Sequence, residues 1–318
     1  MIVTLAGGVG AARMLSGLAA AFDPAHLAAI VNVADDDRLH GLAISPDLDT
    51  VTYTLAGAID PDRGWGLRSE TWQAIESLRA YGTANGDPEL GWFSLGDQDL
   101  GTHLYRTTRL AAGVPLSTVT GEIARRWGVG VRLIPVTDDR LATVIEPVGG
   151  GELTFQEYFV RSHHDIDVAA IRFVGADTAR PAPGTVELLA TAEVVVIAPS
   201  NPIVSIGAIL AVPGMRAAVE AARDRTVAVS PIVGGRALKG PADRLLASLG
   251  HEPSVVGVAR LYRDLAAVLV IDEVDAALAP AVEAAGMQCV VTSTVMSTPE
   301  IAAALARTTV RSITERER

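Results

Sequence analysis

Short hydrophobic runs, four to six residues long, recur along the chain and alternate with longer segments in which the apolar residues have helical spacing. Runs of this kind, rich in valine and isoleucine, are typical of strands that are buried on both faces of a parallel sheet. The seven runs lie at residues 2–6, 28–33, 131–135, 194–199, 227–231, 268–272 and 289–292. Because strands that alternate with helices are joined by right-handed crossovers, the pattern predicts an α/β fold with a doubly wound, mostly parallel, Rossmann-like sheet.

The region from residue 51 to residue 128 departs from this alternation, since it contains apolar residues with helical spacing and no strand-like run. We expect this region, about 51–128, to form a helical insertion or lid over the sheet of a single domain that spans residues 1–318. Helices are predicted within it at residues 69–79, 100–110 and 117–127.

Two other segments also differ from the alternating pattern. Residues 38–50 have few periodic apolar positions, which predicts a long loop, and loops of this length are usually functional or mobile. Residues 142–146 and 153–160 are predicted to be strands of a separate antiparallel patch.

The composition excludes several classes of function. The net charge of −11 and the lack of a basic stripe argue against binding to nucleic acid. No apolar run is long enough to span a bilayer, so we expect no membrane association. The single cysteine, Cys289, cannot form an internal disulfide, which fits a cytoplasmic protein.

The first candidate binding site is the glycine-rich turn after the first strand. Gly7, Gly8 and Gly10 allow close approach of an anion, and the following helix presents free N–H groups at its positive end. Arg13 stands where the dinucleotide-binding pattern has a third glycine, and the only lysine, Lys239, is far from the turn in sequence, so this is not a P-loop. The turn therefore predicts a phosphate site, with a tight turn that binds nothing as the alternative.

A second turn of this kind follows the fourth strand-like run. Ser200 and Asn201 come directly after that run and precede Pro202 and a helix. An asparagine side chain can bond both a phosphate oxygen and a base edge, while its simpler role is to cap the next helix.

Acidic residues follow the second strand and are the candidates for chemistry. Asp35 and Asp36 end that strand, and Asp47 and Asp49 lie a short distance beyond. Because ligands gather at the carboxyl ends of parallel strands, we expect these carboxylates beside the glycine turn, where they would hold Mg²⁺ or substrate. The alternative is a solvated loop that is rich in aspartate because aspartate suits turns.

Two glycine-flanked loops in the helical region carry tryptophans that could stack on a flat heterocycle. Trp65 and Trp92 lie in these loops, although packing of half-buried side chains competes with a binding role. The segment 97–99 and His103 resemble the edge of a site. Residues 163–165, with two histidines and an aspartate, lack further ligands at metal-site spacing and are expected to be solvated.

Eight ordered motifs together resemble one known family. They lie at residues 5–11, 31–36, 46–50, 63–66, 95–100, 198–202, 230–235 and 239–243. On these motifs the chain is similar to the CofD/FbiA family, the transferases of coenzyme F420 biosynthesis. The resemblance extends over most of the chain and weakens after about Asp272.

This resemblance implies a transfer reaction with a nucleotide donor. The donor would be guanosine diphosphate esterified to a three-carbon acid, and the sequence leaves open whether its three-carbon part is phospholactyl, enolpyruvyl or phosphoglyceryl. The terminal ribityl hydroxyl of the deazariboflavin FO would attack it with Mg²⁺ assisting, and GMP would leave. The implied protein is a cytoplasmic homodimer.

The resemblance also implies roles for individual residues. The nucleotide and its phosphates would contact Gly7, Gly8, Gly10, Arg13, Ser200 and Asn201. The metal would be held by Asp35, Asp36 and Asp49. Asp49 and Asp36 would be catalytic, and FO would contact Asp49, Trp65 and Gln98. Gln98 departs from the family, which usually has arginine or lysine there, so this chain loses a charge that could meet a substrate phosphate.

Two other functions compete with the transferase. A non-catalytic, nucleotide-sugar-binding regulatory protein of the gluconeogenesis-factor type would share the glycine turn and the two aspartates after the second strand, but it typically has a Pro-Gly-Asp pattern where this chain has residues 46–50. An NAD-dependent dehydrogenase would have glycine in place of Arg13 and an acidic residue nearer to the turn than Asp35.

Overall fold

The computed structural model describes residues 1–87 and 89–316, which contain fourteen strands and twelve α-helices. The strands are β1 (Ile2–Ala6), β2 (Leu27–Val31), β3 (Asp37–Leu39), β4 (Leu42–Ile44), β5 (Arg132–Pro135), β6 (Ala142–Pro147), β7 (Leu153–Thr154), β8 (Val168–Val174), β9 (Val194–Ile197), β10 (Thr226–Val229), β11 (Ile232–Val233), β12 (Arg236–Ala237), β13 (Val268–Ile271) and β14 (Gln288–Val291). The helices are α1 (Gly8–Ala21), α2 (Pro46–Leu55), α3 (Gln73–Asn85), α4 (Asp99–Ala111), α5 (Leu116–Arg126), α6 (Thr185–Thr191), α7 (Gly207–Ala211), α8 (Met215–Ala221), α9 (Ala242–Ser248), α10 (Val255–Tyr262), α11 (Ala279–Ala284) and α12 (Pro299–Thr314). Within the described ranges, no single helix has both the length and the hydrophobicity needed to cross a bilayer.

The seven predicted runs form one sheet in which every neighbouring pair of strands is parallel. Its strand order is β14-β13-β10-β9-β1-β2-β5. Strands β2 and β5 lie on one side of β1. The later strands, beginning with β9, lie on its other side. The predicted doubly wound, Rossmann-like sheet is thus confirmed, and its switch point, where such folds bind ligands, lies between β1 and β9.

Helix α1 is fixed beneath the sheet by an unusually close helix contact. Its apolar side, including Met14, Leu15 and Leu18, is fully buried. A Cβ added to Gly17 would lie only 2.4 Å from the carbonyl oxygen of Ala302 in α12, so only glycine permits this approach. The packing holds the amino terminus of α1 at the switch point.

Four helices, α2 to α5, lie along the chain between β2 and β5, in the region expected to be the helical insertion. Helices α4 and α5 match their predicted ranges to within one residue, whereas α3 begins four residues later and ends six residues later than predicted. That residues 1–318 form a single domain with an insertion stays a prediction.

The long loop predicted for residues 38–50 is wrong. This segment forms the β3–β4 hairpin and the first half of α2. Pro46 begins the helix, where its fixed φ and missing N–H are tolerated. The sequence did not predict this helix because two of its buried residues, Asp47 and Asp49, are polar. They interrupt the helical spacing of apolar residues such as Leu48 and Val51.

The antiparallel patch consists of β7, β6 and β8. The strand predicted for residues 153–160 is wrong beyond Thr154, since the chain turns into a π-helical segment at Glu157–Arg161. The helical turn stacks Phe155 on Phe159, with ring centroids 5.5 Å apart. Strand β8 was missed because Arg172 interrupts its apolar run and its residues do not alternate strictly between buried and exposed positions.

Candidate active site

The two candidate turns meet at the switch point. The Gly7 N–H donates to Ser200 Oγ at 3.1 Å, and the Ser200 hydroxyl donates to the Gly7 carbonyl at 2.8 Å. A Cβ on Gly10 would lie 2.3 Å from the Pro199 carbonyl oxygen, so the first turn of α1 packs directly against the chain after β9. The glycine turn and the Ser200–Asn201 turn therefore line the same cleft.

Replacing Gly10 by alanine should disrupt this contact. The added methyl group would meet backbone atoms of Pro199 that cannot move aside alone, so we expect a loss of about 1–3 kcal/mol in the free energy of unfolding, measured with urea. Gly101 is the matched control, because a Cβ there has no neighbour within 4 Å and the residue is in helix α4. Gly101→Ala should be neutral or stabilising by up to about 1 kcal/mol. Equal stability of the wild type and Gly10→Ala would contradict the close contact.

A buried amide joins the acidic residues to the glycine turn. The Asn32 side chain, just beyond β2, donates to both Asp35 Oδ2 and Asp47 Oδ2 at 3.0 Å. Asp47 Oδ1 accepts the Gly8 N–H at 2.8 Å, and Asp35 Oδ1 accepts the Thr143 hydroxyl at 3.0 Å. The carboxylates thus lie beside the turn, and the first amide of α1 already has a protein acceptor.

These carboxylates are short of positive partners. Burial raises the pKa of Asp35 well above its usual value, and the charge of Asp47 raises it further. Burial also raises the pKa of Asp47 to about 6 and that of Asp36 well above its usual value. Asp36 Oδ2 accepts the Ser45 hydroxyl at 2.6 Å, while its buried Oδ1 has no partner. Buried oxygen donors with uncompensated charge fit a hard divalent cation.

Asp49 has a different environment, since a buried guanidinium holds it. Arg106 binds both Asp49 oxygens, with Nη1 at 3.1 Å from Oδ2 and Nη2 on Oδ1. Burial raises the pKa of Asp49, and the charge of Arg106 opposes that shift. The Arg106 Nη1 also lies 3.3 Å from His103 Nδ1.

The network continues from His103 to Asp99 in the preceding turn of α4. His103 Nε2 lies 3.3 Å from Asp99 Oδ2, and the Tyr53 hydroxyl donates to Asp99 Oδ1 at 2.5 Å. Asp49, Asp99 and His103 could together ligate a metal, because one nitrogen or oxygen atom from each lies within 4.8 Å of the others. Among the residues that the structure describes, they are the only such set of three histidine, cysteine, aspartate or glutamate residues. They could hold a divalent metal.

The cleft that contains these groups has a volume of about 770 Å³. Its mouth carries Trp65, which is 44% exposed and meets Trp72 edge to face at 6.2 Å. Phe155 and Phe159 form part of an apolar wall. A cleft of this size, with polar groups at the bottom and aromatic residues at the sides, suits a small-molecule substrate with a flat ring system.

Similarity to known proteins agrees with a cleft that binds a small-molecule substrate. Residues 2–312 match the family model described as 2-phospho-L-lactate transferase CofD. The chain belongs to the CofD family. It is therefore an enzyme, a transferase of coenzyme F420 biosynthesis.

Two relatives and one structural neighbour match between 85% and 97% of the chain. It is 47% identical over 312 residues to the phosphoenolpyruvate transferase of Kitasatospora aureofaciens, covering 96% of each chain. It is 48% identical over 277 residues to that of Nocardia farcinica, covering 85% of this chain and 82% of the relative. A crystal structure of a UPF0052 family member from Bacillus halodurans is 17% identical, with a TM-score of 0.60 and coverage of 97% and 98%, which shows a shared fold.

Most residues singled out from the sequence line the cleft of this CofD family member. They are Gly7, Gly8, Gly10, Arg13, Asp35, Asp49, Trp65, Ser200 and Asn201. Asn201 also caps the following π-helical turn, since its Oδ1 accepts the Ile203 and Val204 amides. Their roles in binding and catalysis stay predictions.

Other residues that were singled out from the sequence do not line this cleft, among them Asp36, Trp92 and Gln98. Asp36 accepts the Ser45 hydroxyl, and Gln98 donates from Nε2 to the Ser69 carbonyl at 3.1 Å. Trp92 meets Phe93 edge to face, with ring centroids 5.5 Å apart. The FO contact predicted for Gln98 and the metal contact predicted for Asp36 are therefore not supported by a position in the cleft lining. Both assignments stay predictions.

Sequence reasoning missed several residues of the site. They are Asn32, Tyr53, Arg106, Phe155 and Phe159, together with a cleft position for Lys239. Asn32 directly follows a strand and could have been recognised by that position. Arg106 lies in a helix among other polar residues, and nothing in its local sequence distinguishes it from the half-buried Arg109.

Proposed function

We propose that this CofD family enzyme transfers an enolpyruvyl phosphate group from a guanosine diphosphate-linked donor to the terminal ribityl hydroxyl of FO. The observation that carries the proposal is the meeting of the glycine turn, the buried carboxylates and an aromatic-walled surface in one switch-point cleft. The name phosphoenolpyruvate transferase, given to relatives 47% and 48% identical, favours enolpyruvyl phosphate over 2-phospholactate as the transferred group.

The proposed chemistry forms one phosphorus–oxygen bond and breaks another. The FO hydroxyl oxygen attacks the phosphorus that bears the enolpyruvyl group. The bond from that phosphorus to the bridging oxygen breaks, and GMP leaves with the electron pair. The hydroxyl proton must go to a base, and the product is a phosphodiester. Positioning and charge neutralisation supply most of the catalysis in such transfers.

Asp49 is the proposed acceptor of the hydroxyl proton. It lies in the cleft, and each of its oxygens bonds to Arg106. A carboxylate has about four lone-pair positions, so this pairing leaves acceptor capacity for a substrate hydroxyl. The guanidinium fixes the orientation of the carboxylate and favours its charged form, which is the form that accepts a proton.

A divalent cation, proposed to be Mg²⁺, fits the oxygen-rich side of the cleft. Asp35, Asp36 and Asp49 remain its proposed ligands, and Asp47 joins them because it lines the same cleft beside Asp35 and Asp49. When bound, the cation would neutralise charge on the donor phosphates and on the leaving GMP.

The remaining parts of the cleft are assigned to the two substrates. The glycine turn, Arg13 and the Ser200–Asn201 turn would bind the guanylate and diphosphate. Trp65 and the Phe155–Phe159 pair would contact the flat deazaflavin, with Gln98 at the outer edge.

We also propose a homodimer in the cytoplasm, and the molar mass in solution from light scattering tests the dimer.

A titration of the purified protein with FO tests this assignment. We expect saturable micromolar binding, followed by FO fluorescence, that becomes tighter when GDP and Mg²⁺ are added, because the donor site lies beside the acceptor site. A Trp65→Ala variant should bind FO more weakly by about 5- to 100-fold, the usual value of one stacked aromatic contact. No binding of FO under any condition would contradict FO as the acceptor.

A further inference from the structure

The only lysine in the chain lies in the cleft. Lys239 follows β12, and its side chain is exposed and faces the same cleft as the glycine turn. In the described ranges 1–87 and 89–316, no carboxylate lies within 4.0 Å of its ammonium group. An unpaired cation in the cleft of a chain with a net charge of −11 requires an explanation.

Gly64 shows where this ammonium group lies. A Cβ added to Gly64 would be 2.7 Å from Lys239 Nζ and 3.9 Å from Cγ1 of Val9. Gly64 is buried and has a φ of 75°, a conformation that favours glycine. The lysine therefore reaches across the mouth of the cleft to the loop that carries Trp65, and its charge lies close to the first turn of α1.

The other cations at the cleft are less available. Arg63 pairs with Asp60 at 2.9 Å and donates to the Leu67 carbonyl at 3.0 Å. Arg106 is buried against Asp49. Arg13 is exposed and makes one long contact, 3.5 Å to the Met296 carbonyl. Lys239 and Arg13 are thus the cleft cations that are free to meet an anion.

We propose that Lys239 binds the diphosphate of the donor nucleotide. In a P-loop the lysine that contacts the phosphates is close in sequence to the glycines, whereas here the same positive charge comes from a distant part of the chain. This inference rests on the proposed function for the identity of the donor. Its physical basis is that the first amide of α1 is occupied by Asp47, so the glycine turn needs an added cation to hold a diphosphate beside buried carboxylates. Gly64 leaves the space that the ammonium group occupies.

Binding of GDP, GMP and guanosine to Lys239→Met and Lys239→Arg, measured by calorimetry, tests the proposal. We expect Lys239→Met to weaken GDP binding by about 10- to 100-fold, the usual effect of one charge-assisted hydrogen bond, to weaken GMP binding less, and to leave guanosine binding unchanged. Lys239→Arg should retain part of the GDP affinity. Arg236→Met is the matched control, because Arg236 is exposed in β12 and lies outside the cleft lining, and it should bind GDP normally.

The single lysine also permits a direct chemical readout on the wild-type protein. Lys239 carries the only lysine amine of the chain. The α-amine of Met1, which pairs with Glu193 at 3.2 Å and lies outside the cleft lining, serves as the reference amine. Acetylation with a soluble N-hydroxysuccinimide ester, followed by peptide mass spectrometry, should show that GDP protects Lys239 and leaves Met1 unprotected.

The outcomes separate this inference from the proposed function. If the wild type binds GDP and FO, but Lys239→Met binds GDP equally well and GDP fails to protect Lys239, the lysine has no role in diphosphate binding and the inference is overturned alone. If the wild type binds neither GDP nor FO, the proposed function fails and the inference fails with it.

Discussion

Asp49→Asn is expected to abolish turnover while the chain still folds. The variant keeps the shape of the side chain and loses the negative charge, so the FO hydroxyl no longer has a base to accept its proton. General-base catalysis usually contributes about 10²- to 10⁴-fold in rate, and we expect a loss in the upper part of that range. The measurement is the initial rate of phosphodiester formation at saturating FO and donor.

Two controls separate catalysis from folding in this variant. The circular dichroism spectrum and FO binding should be preserved, although the unfolding midpoint should fall because Arg106 keeps its buried charge beside a neutral partner. Ser94→Ala provides a cleft-lining variant without a proposed role and should retain its rate. A near-normal rate for Asp49→Asn would remove Asp49 from the mechanism.

Arg106→Met is expected to cost the largest amount of stability. Arg106 is 1% exposed and neutralises Asp49, which is also buried. Removing one partner of a buried ion pair leaves the other charge uncompensated, and the usual cost is about 3–5 kcal/mol. The measurement is the free energy of unfolding in urea. Arg109→Met, on the same helix, breaks a more exposed pair with Glu122 and should cost about 0–1 kcal/mol.

The pH dependence of the Arg106→Met variant supplies a second check. Burial already raises the pKa of Asp49 in the folded wild type, and loss of Arg106 should raise it further. The folded variant then keeps a proton that Asp49 has already lost in the folded wild type. The stability of the variant relative to the wild type should therefore fall as the pH rises above the pKa of Asp49 in the folded wild type, which itself lies above the usual aspartate value. An equal stability loss at every pH between about 4 and 8 would show that Asp49 does not carry the uncompensated charge.

The sheet could be predicted from the sequence because each of its strands is a short, continuous apolar run. β1 and β9 are fully buried, so nothing polar interrupted their patterns. Helix α2 was missed for the opposite reason. The polar residues that it buries, among them Asp47 and Asp49, serve the cleft, so the local pattern resembled a loop. Folding favours apolar residues at the buried positions of this helix, whereas the proposed function requires carboxylates at two of them.

The candidate site was predictable only where topology alone determines position. Gly7 and Ser200 each follow a strand of a parallel sheet, and the switch-point rule therefore predicts that they are neighbours. The contacts of Arg106 and Lys239 depend on how helices and loops pack over the sheet. Those arrangements are tertiary, and no spacing in the sequence near either residue indicates its partner.

The most direct test of the central claim is the complete reaction followed by mass spectrometry. The purified protein would be incubated with Mg²⁺, FO and the guanosine diphosphate ester of enolpyruvate, with the 2-phospholactate ester in a parallel reaction. We expect equal amounts of GMP and of FO joined through a phosphodiester to the enolpyruvyl group, with slower or no reaction of the phospholactyl donor. Release of GMP without consumption of FO, or no reaction with either donor, would contradict the proposed transfer.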